Sequence, residues 1–122
     1  MVIKKVAFPA TKEGMDQPIC GHFGHANMFT VVEYEDSNNS IVTSVAVKNP
    51  SHEQGGCMRP VMILKNFGVD AIVLTGIGQR PFMGFVQEGL KVFRGINGTI
   101  SQNFESFVNN KLEMLAGSSC NH

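Results

Sequence analysis

No stretch of the 122 residues stays apolar for the roughly 18 positions a membrane-crossing helix needs. Met1 to Ala10 runs straight into a strand-like pattern, without the apolar core of a secretory leader. A cytoplasmic protein with no membrane partner is expected. An excess of either charge is also lacking: ten Lys and Arg balance ten Asp and Glu. A broad basic face for non-specific nucleic-acid binding is therefore not expected. Cysteine is scarce, and three residues cannot all pair within the chain. In a reducing compartment, thiols or metal ligands are expected instead of a disulfide framework. The first strand carries no carboxylate, and Glu33, Glu35 and Asp70 do not form a convergent set, so a two-metal nuclease is disfavoured. With 43% hydrophobic residues the chain can bury a core without staples. One domain over residues 1–116 is expected, followed by a flexible tail over 117–122 that bears Cys120 and His122.

Set against these shortages is one dense segment, Cys20-Gly21-His22-Phe23-Gly24-His25. It gathers a thiol and two imidazoles, with glycines that permit a sharp turn or close approach to a bound group. The remaining soft ligands also come in pairs, His52 with Cys57 and Cys120 with His122. Thiolate and imidazole suit zinc, copper or an iron–sulfur or molybdenum–sulfur species. The spacing, C-x-H-x2-H, matches no standard zinc motif. His52 and Cys57 flank Gly55-Gly56 ahead of an expected helix, whose N-terminus favours anions and a lowered thiol pKa. Gly76-Ile77-Gly78 falls between a buried strand and a helix, where backbone N–H groups can meet an anion. It has neither the third glycine of a dinucleotide fingerprint nor the Lys-Ser/Thr of a P-loop. Arg59 and Arg80 stand near the starts of the two helices as further anion contacts. A Cys57–His52 hydrolase lacks an identifiable orienting partner or oxyanion device.

Hydrophobic periodicity predicts strands over residues 2–8, 28–35 and 41–47, with Pro9 ending the first. A helix over 58–67 stops at Gly68, and a buried strand follows at 71–75. A helix opened by Pro81 carries Phe82, Phe85 and Val86 on one face and ends at Gly89. A fifth strand covers 90–93. The last helix is capped by Thr99 and Gln102 in a capping box, with Ile100, Phe104, Phe107 and Val108 facing inward. The order β-β-β-α-β-α-β-α predicts an α/β, ribonuclease H-like fold: a mixed five-stranded sheet with helices on its faces.

Several runs together resemble the dinitrogenase iron–molybdenum cofactor biosynthesis family. They are Ala7-Phe8-Pro9, His22-Phe23-Gly24-His25-Ala26 leading to Phe29, Gly76-Ile77-Gly78 with Arg80-Pro81-Phe82, and Gly89-Leu90-Lys91-Val92. The similarity spans about residues 3–107 and looks nearest to the orange-protein branch, which carries a molybdenum–copper sulfide cluster. The resemblance implies a non-catalytic carrier that binds a metal–sulfur cluster, molybdenum with copper or iron, beside the His22–His25 turn. Cofactor-assembly or ATPase partner proteins are implied, and the chain is expected to be a monomer or weak dimer. By position, His22 matches the family's His, and His25 stands where many members have a basic residue, which makes anion attraction there pH-sensitive. Cys20 is not a general family feature. A sulfide-rich cluster needs glycines for close approach (Gly21, Gly24, Gly56, Gly76, Gly78) and cations such as Arg59, Arg80 and protonated His. Capture is then largely electrostatic. Two alternatives remain open: a zinc- or copper-binding regulatory module with Cys20, His22, Cys57 and Cys120 as direct ligands, or a small-anion-binding enzyme using residues 76–78; His25 and His122 complete the set of candidate metal-binding residues.

Overall fold

The structure, a computed structural model, describes residues 2–21, 23, 26–49, 58–76 and 79–116, with the backbone alone for Met58, Arg59, Gln79, Arg80 and Ala116. Its elements are β1 (Ile3–Ala10), β2 (Met28–Glu35), β3 (Ile41–Lys48), α1 (Met58–Asn66), β4 (Ala71–Leu74), α2 (Gln79–Gln87), β5 (Lys91–Arg94), α3 (Ile100–Val108) and β6 (Glu113–Ala116). They form one mixed sheet in the order β3-β2-β1-β4-β5-β6. β1, β4 and β5 are parallel neighbours, while β2 and β6 run antiparallel to theirs. The first eight elements follow the expected order. The expected five strands are corrected to six: β6 adds an antiparallel edge beside β5. Its four residues, Glu-Met-Leu-Ala, are too few for an alternating pattern to register.

Pro9 does not end β1. Even-numbered residues of β1 face β2: the carbonyls of Val2 and Ala10 accept from Asp36 and Asn27 N–H. Odd-numbered ones face the other way, so Lys5 and Pro9 carbonyls accept from Asp70 and Cys20 N–H. The N–H that proline lacks would point away from β2, beyond the β4 pairing at Val6 and Ala7. Its absence therefore breaks no ladder bond.

Two cores sandwich the sheet. One holds Ala7, Phe29, Val31 and Ile72 under Val61 and Leu64 of α1 and Phe85 of α2. The other holds Val6, Phe8, Val32 and Val73 under Ile100 and Phe104 of α3. β4 is buried throughout, as an apolar run between two parallel neighbours should be. Each helix stops in the same way. After α1, Val69 N–H reaches Leu64 carbonyl and Gly68 N–H reaches Lys65, with Gly68 at φ 88°. Leu90, Gly89 (φ 86°) and their acceptors Phe85 and Val86 repeat this after α2. Asn110, at φ 59°, does so after α3. These are Schellman ends, in which Gly or Asn tolerates the left-handed residue. The predicted capping box is present: Gln102 N–H donates to Thr99 Oγ1 at 3.0 Å, and Thr99 N–H donates to Gln102 Oε1 at 2.8 Å.

At the far end of β2, Glu35 is 8% exposed. Its Oε2 accepts from the Ser37 hydroxyl at 2.8 Å, which holds its pKa below the ordinary 4.5. A depressed carboxylate stabilises the fold above its unfolded pKa, and that stabilisation is lost as pH falls through the lowered native value. Urea midpoints of Glu35→Gln, compared with the parent chain between about pH 7 and about pH 3, are expected to show a smaller acid-side decline.

Candidate functional site

β1, β4 and β5 all point their carboxyl ends to one edge of the sheet. β3 also ends there, because Lys48 pairs with Met28, which pairs with Ala10. Four connections leave this edge: residues 11–27, 49–57, 75–78 and 95–99. Carboxyl ends of parallel strands are where open α/β sheets leave room for ligands.

Residues 19–23 cross this edge from one core to the other. Ile19 is buried with Phe8, Ala10 and Ile100 on the α3 side. Phe23 is buried with Phe29 and Phe85 on the α1–α2 side, each ring 5.5 Å from its own. Each end is therefore anchored by apolar burial, and Cys20 and Gly21 are carried over the strand ends between them. Hydrogen bonds fix the crossing. Ile19 N–H donates to Gly98 carbonyl (3.0 Å), Cys20 N–H to Pro9 carbonyl (2.8 Å) and Phe23 N–H to Gly76 carbonyl (3.0 Å). The Thr75 hydroxyl donates to Cys20 carbonyl at 3.4 Å. Here glycine is a steric requirement at Gly76, not at Gly21. A methyl on Gly76 would lie 2.6 Å from the Gly21 carbonyl oxygen, whereas one on Gly21 would meet nothing within 4 Å. The N–H groups of Gly21 and Gly76 have no hydrogen-bond partner among the described residues.

The chain leaving β3 is tied to the same turn through Asn49, a residue not singled out from the sequence. Its N–H donates to Asn27 carbonyl (2.9 Å) and its Nδ2 to Ala26 carbonyl (2.7 Å), while its buried Oδ1 has no partner among the described residues. From the α3 side the crossing leans on a second polar clamp. Asn103 is fully buried. Its Oδ1 accepts from Ile96 N–H at 2.8 Å, and its Nδ2 donates to the carbonyls of Ile96 (3.0 Å) and Thr99 (2.9 Å). That shapes residues 96–99, whose Gly98 carbonyl receives Ile19. An asparagine inside an otherwise apolar helical face was the available signal for it.

Of the predicted site residues, the structure brings Cys20, Gly21, Phe23 and Gly76 together. Cys20 is half-buried. Arg59 and Arg80 are each the second residue of a helix, α1 and α2, and neither helix has an acidic residue in its first turn. Within their own first turns, nothing acidic offsets the positive ends of these helices. His22, Gly24, His25, His52, Gly56, Cys57, Gly78, Cys120 and His122 lie outside the described residues. Among the described residues there is no group of three His, Cys, Asp or Glu suited to a metal ion, and no helix long and apolar enough to cross a membrane.

A family model described as dinitrogenase iron–molybdenum cofactor matches residues 4–110. The chain is 28% identical over 114 residues to uncharacterized protein MJ0580 of Methanocaldococcus jannaschii, covering 91% of each. Its fold matches that of PH0822 with a TM-score of 0.77 at 27% identity, over 90% of this chain and 95% of that one. It also matches the apo form of the orange protein from Desulfovibrio gigas, with a TM-score of 0.80 at 21% identity, over 93% and 94% of the two chains.

Proposed function

This chain belongs to the dinitrogenase iron–molybdenum cofactor family, and we propose that it is a non-catalytic carrier or store for an anionic metal–sulfur cluster. The cluster contains molybdenum, with copper or iron, and rests against residues 19–26 at the carboxyl ends of β1 and β4. Cofactor-assembly proteins deliver or receive it. The observation that carries this reading is the crossing itself: a turn pinned in both cores, with Gly76 packed against its backbone and two N–H groups left unspent. We read the β3-β2-β1-β4-β5 part of the sheet as ribonuclease H-like, with the cluster above its central strands.

The chemistry of such cargo suits this edge. A sulfide-rich anion is large and polarizable, so it gains from N–H donors, from helix N-termini and from cationic side chains without needing a protein–metal bond. Gly21 and Gly76 offer the first. α1 and α2 offer the second, with Arg59 and Arg80 beside them. His22 and His25 supply imidazole within the same stretch of sequence, and His52, Gly56 and Cys57 follow Asn49 in the chain. Gly24 and Gly78 adjoin the two segments that meet at the Phe23–Gly76 hydrogen bond. Capture is electrostatic, with Cys20, Cys57, Cys120 and His122 as auxiliary ligands at most.

Untagged protein, kept free of oxygen and offered tetrathiomolybdate with copper, is expected to retain molybdenum stoichiometrically after gel filtration. No retained metal would end the proposal. The protein with Cys20, Cys57 and Cys120 all changed to serine is expected to keep its molybdenum, because charge and shape hold the cluster. Loss of metal in that variant, with the fold intact, would favour direct thiolate ligation.

A further inference from the structure

A second recess lies at the opposite end of the sheet, on the α3 side, where β1, β4 and β5 begin. Its volume is about 470 Å³, and its walls include Tyr34, Asp70, Lys91, Phe93, Phe107 and Met114. Small-molecule sites occupy roughly 300–1,000 Å³. We infer that this recess is a binding site for a small amino acid with an apolar side chain, distinct from the cluster site.

The charges are what select the ligand. Lys4 and Asp36, also on the wall, satisfy each other at 3.7 Å. Asp70 and Lys91 do not. Lys91 N–H donates to the Asp70 carbonyl at 3.2 Å, so the two residues are neighbours, yet their side chains form no ion pair among the described residues. One oxygen of Asp70 accepts from Lys5 N–H at 2.9 Å, and the other has no partner there. A carboxylate and an ammonium thus face one recess, both available. That pair complements a molecule bearing its own ammonium and carboxylate.

The rest of the wall combines aromatic and apolar side chains with Asn39 and Asn110. Phe93 and Phe107 meet edge-to-face at 5.0 Å, and Tyr34 meets Phe107 at 6.1 Å. These rings and Met114 suit an apolar side chain. Tyr34 is 6% exposed, and its hydroxyl has no hydrogen-bond partner among the described residues. Burial, with Asp36 and Asp70 nearby, pushes its pKa up to about 12. The hydroxyl therefore stays protonated and is an unspent donor for a ligand oxygen.

Amide NMR titration of the intact chain with leucine or methionine tests this. Saturable shifts are expected at Asp70, Lys91, Phe93 and Phe107, with affinity in the millimolar range. Leucinamide and N-acetyl-leucine each lack one charge and are expected to bind about tenfold more weakly or worse. Lys91→Gln, at an exposed position, is expected to weaken leucine while leaving leucinamide unchanged. Absence of saturable shifts with free amino acids would overturn the inference. So would equal binding of the charged and blocked forms. The end-group series uses the unaltered chain, so it decides the matter even if a variant misfolds.

Discussion

Replacing Gly76 with alanine is expected to unseat the turn over the sheet edge and to abolish cluster retention. The new methyl would sit 2.6 Å from the Gly21 carbonyl oxygen, and that oxygen belongs to a backbone fixed on both sides. Cys20 is held to Pro9 and Phe23 to Gly76 itself. The turn must lift, which breaks the Phe23 N–H bond and draws the Phe23 ring away from Phe29 and Phe85. Overpacking costs about 1–3 kcal/mol, and a lost hydrogen bond adds about 1 kcal/mol. A fall of about 2–4 kcal/mol in unfolding free energy is expected from urea denaturation. Gly21→Ala is the control, since its methyl points into open space. It should change stability by under about 1 kcal/mol.

Asn103→Leu should cost as much, from the other face of the sheet. The substitution keeps the branched shape but is bulkier, and it deletes three hydrogen bonds in a fully buried position. Ile96 is itself 43% exposed, so water can recover part of the loss, and a total of about 2–4 kcal/mol is expected. The effect should reach the site, because residues 96–99 would loosen and Gly98 would no longer present its carbonyl to Ile19. Asn103→Asp separates the contributions. It retains an acceptor for Ile96 N–H but aims a buried carboxylate at the carbonyls of Ile96 and Thr99. Burial and those carbonyls raise its pKa, so the deficit relative to the parent chain should be largest near neutral pH. It should shrink as the carboxyl protonates in acid and regains a donor. Urea midpoints of both proteins across that range would check the sign.

The elements with strong local signals were legible in the sequence. Schellman glycines at Gly68 and Gly89, the Thr99–Gln102 box and the apolar run of β4 each announce themselves within a few residues, because a local rule sets them. Pro9 misled for a nonlocal reason. Whether a proline ends a strand depends on which way its missing N–H would face, and that depends on the neighbouring strands. β6 was silent because four residues at an edge, paired only with β5, carry little pattern of their own. At the site, the Cys20–His25 segment and Gly76 stood out by composition. What joins them did not. Asn49 acts on backbone groups far along the chain, and nothing in its immediate sequence marks it as a clamp, while Asn103 carries only the faint mark of a polar residue on an apolar helical face. Nor did spacing disclose that Ile19 and Phe23 enter opposite cores, although that division is what stretches the turn across the strand ends.

The central claim is that anionic cluster cargo sits on this crossing. The most direct test is amide NMR of the untagged chain, free of oxygen, during titration with tetrathiomolybdate and copper. Mo(VI) and Cu(I) are both diamagnetic, so signals close to the cargo survive. Shifts are predicted at Gly21 and Gly76 first, whose N–H groups are unspent, then across residues 20–26 and at Asn49. Binding accompanied by shifts elsewhere, with the Gly21 and Gly76 amides unmoved, would contradict the account.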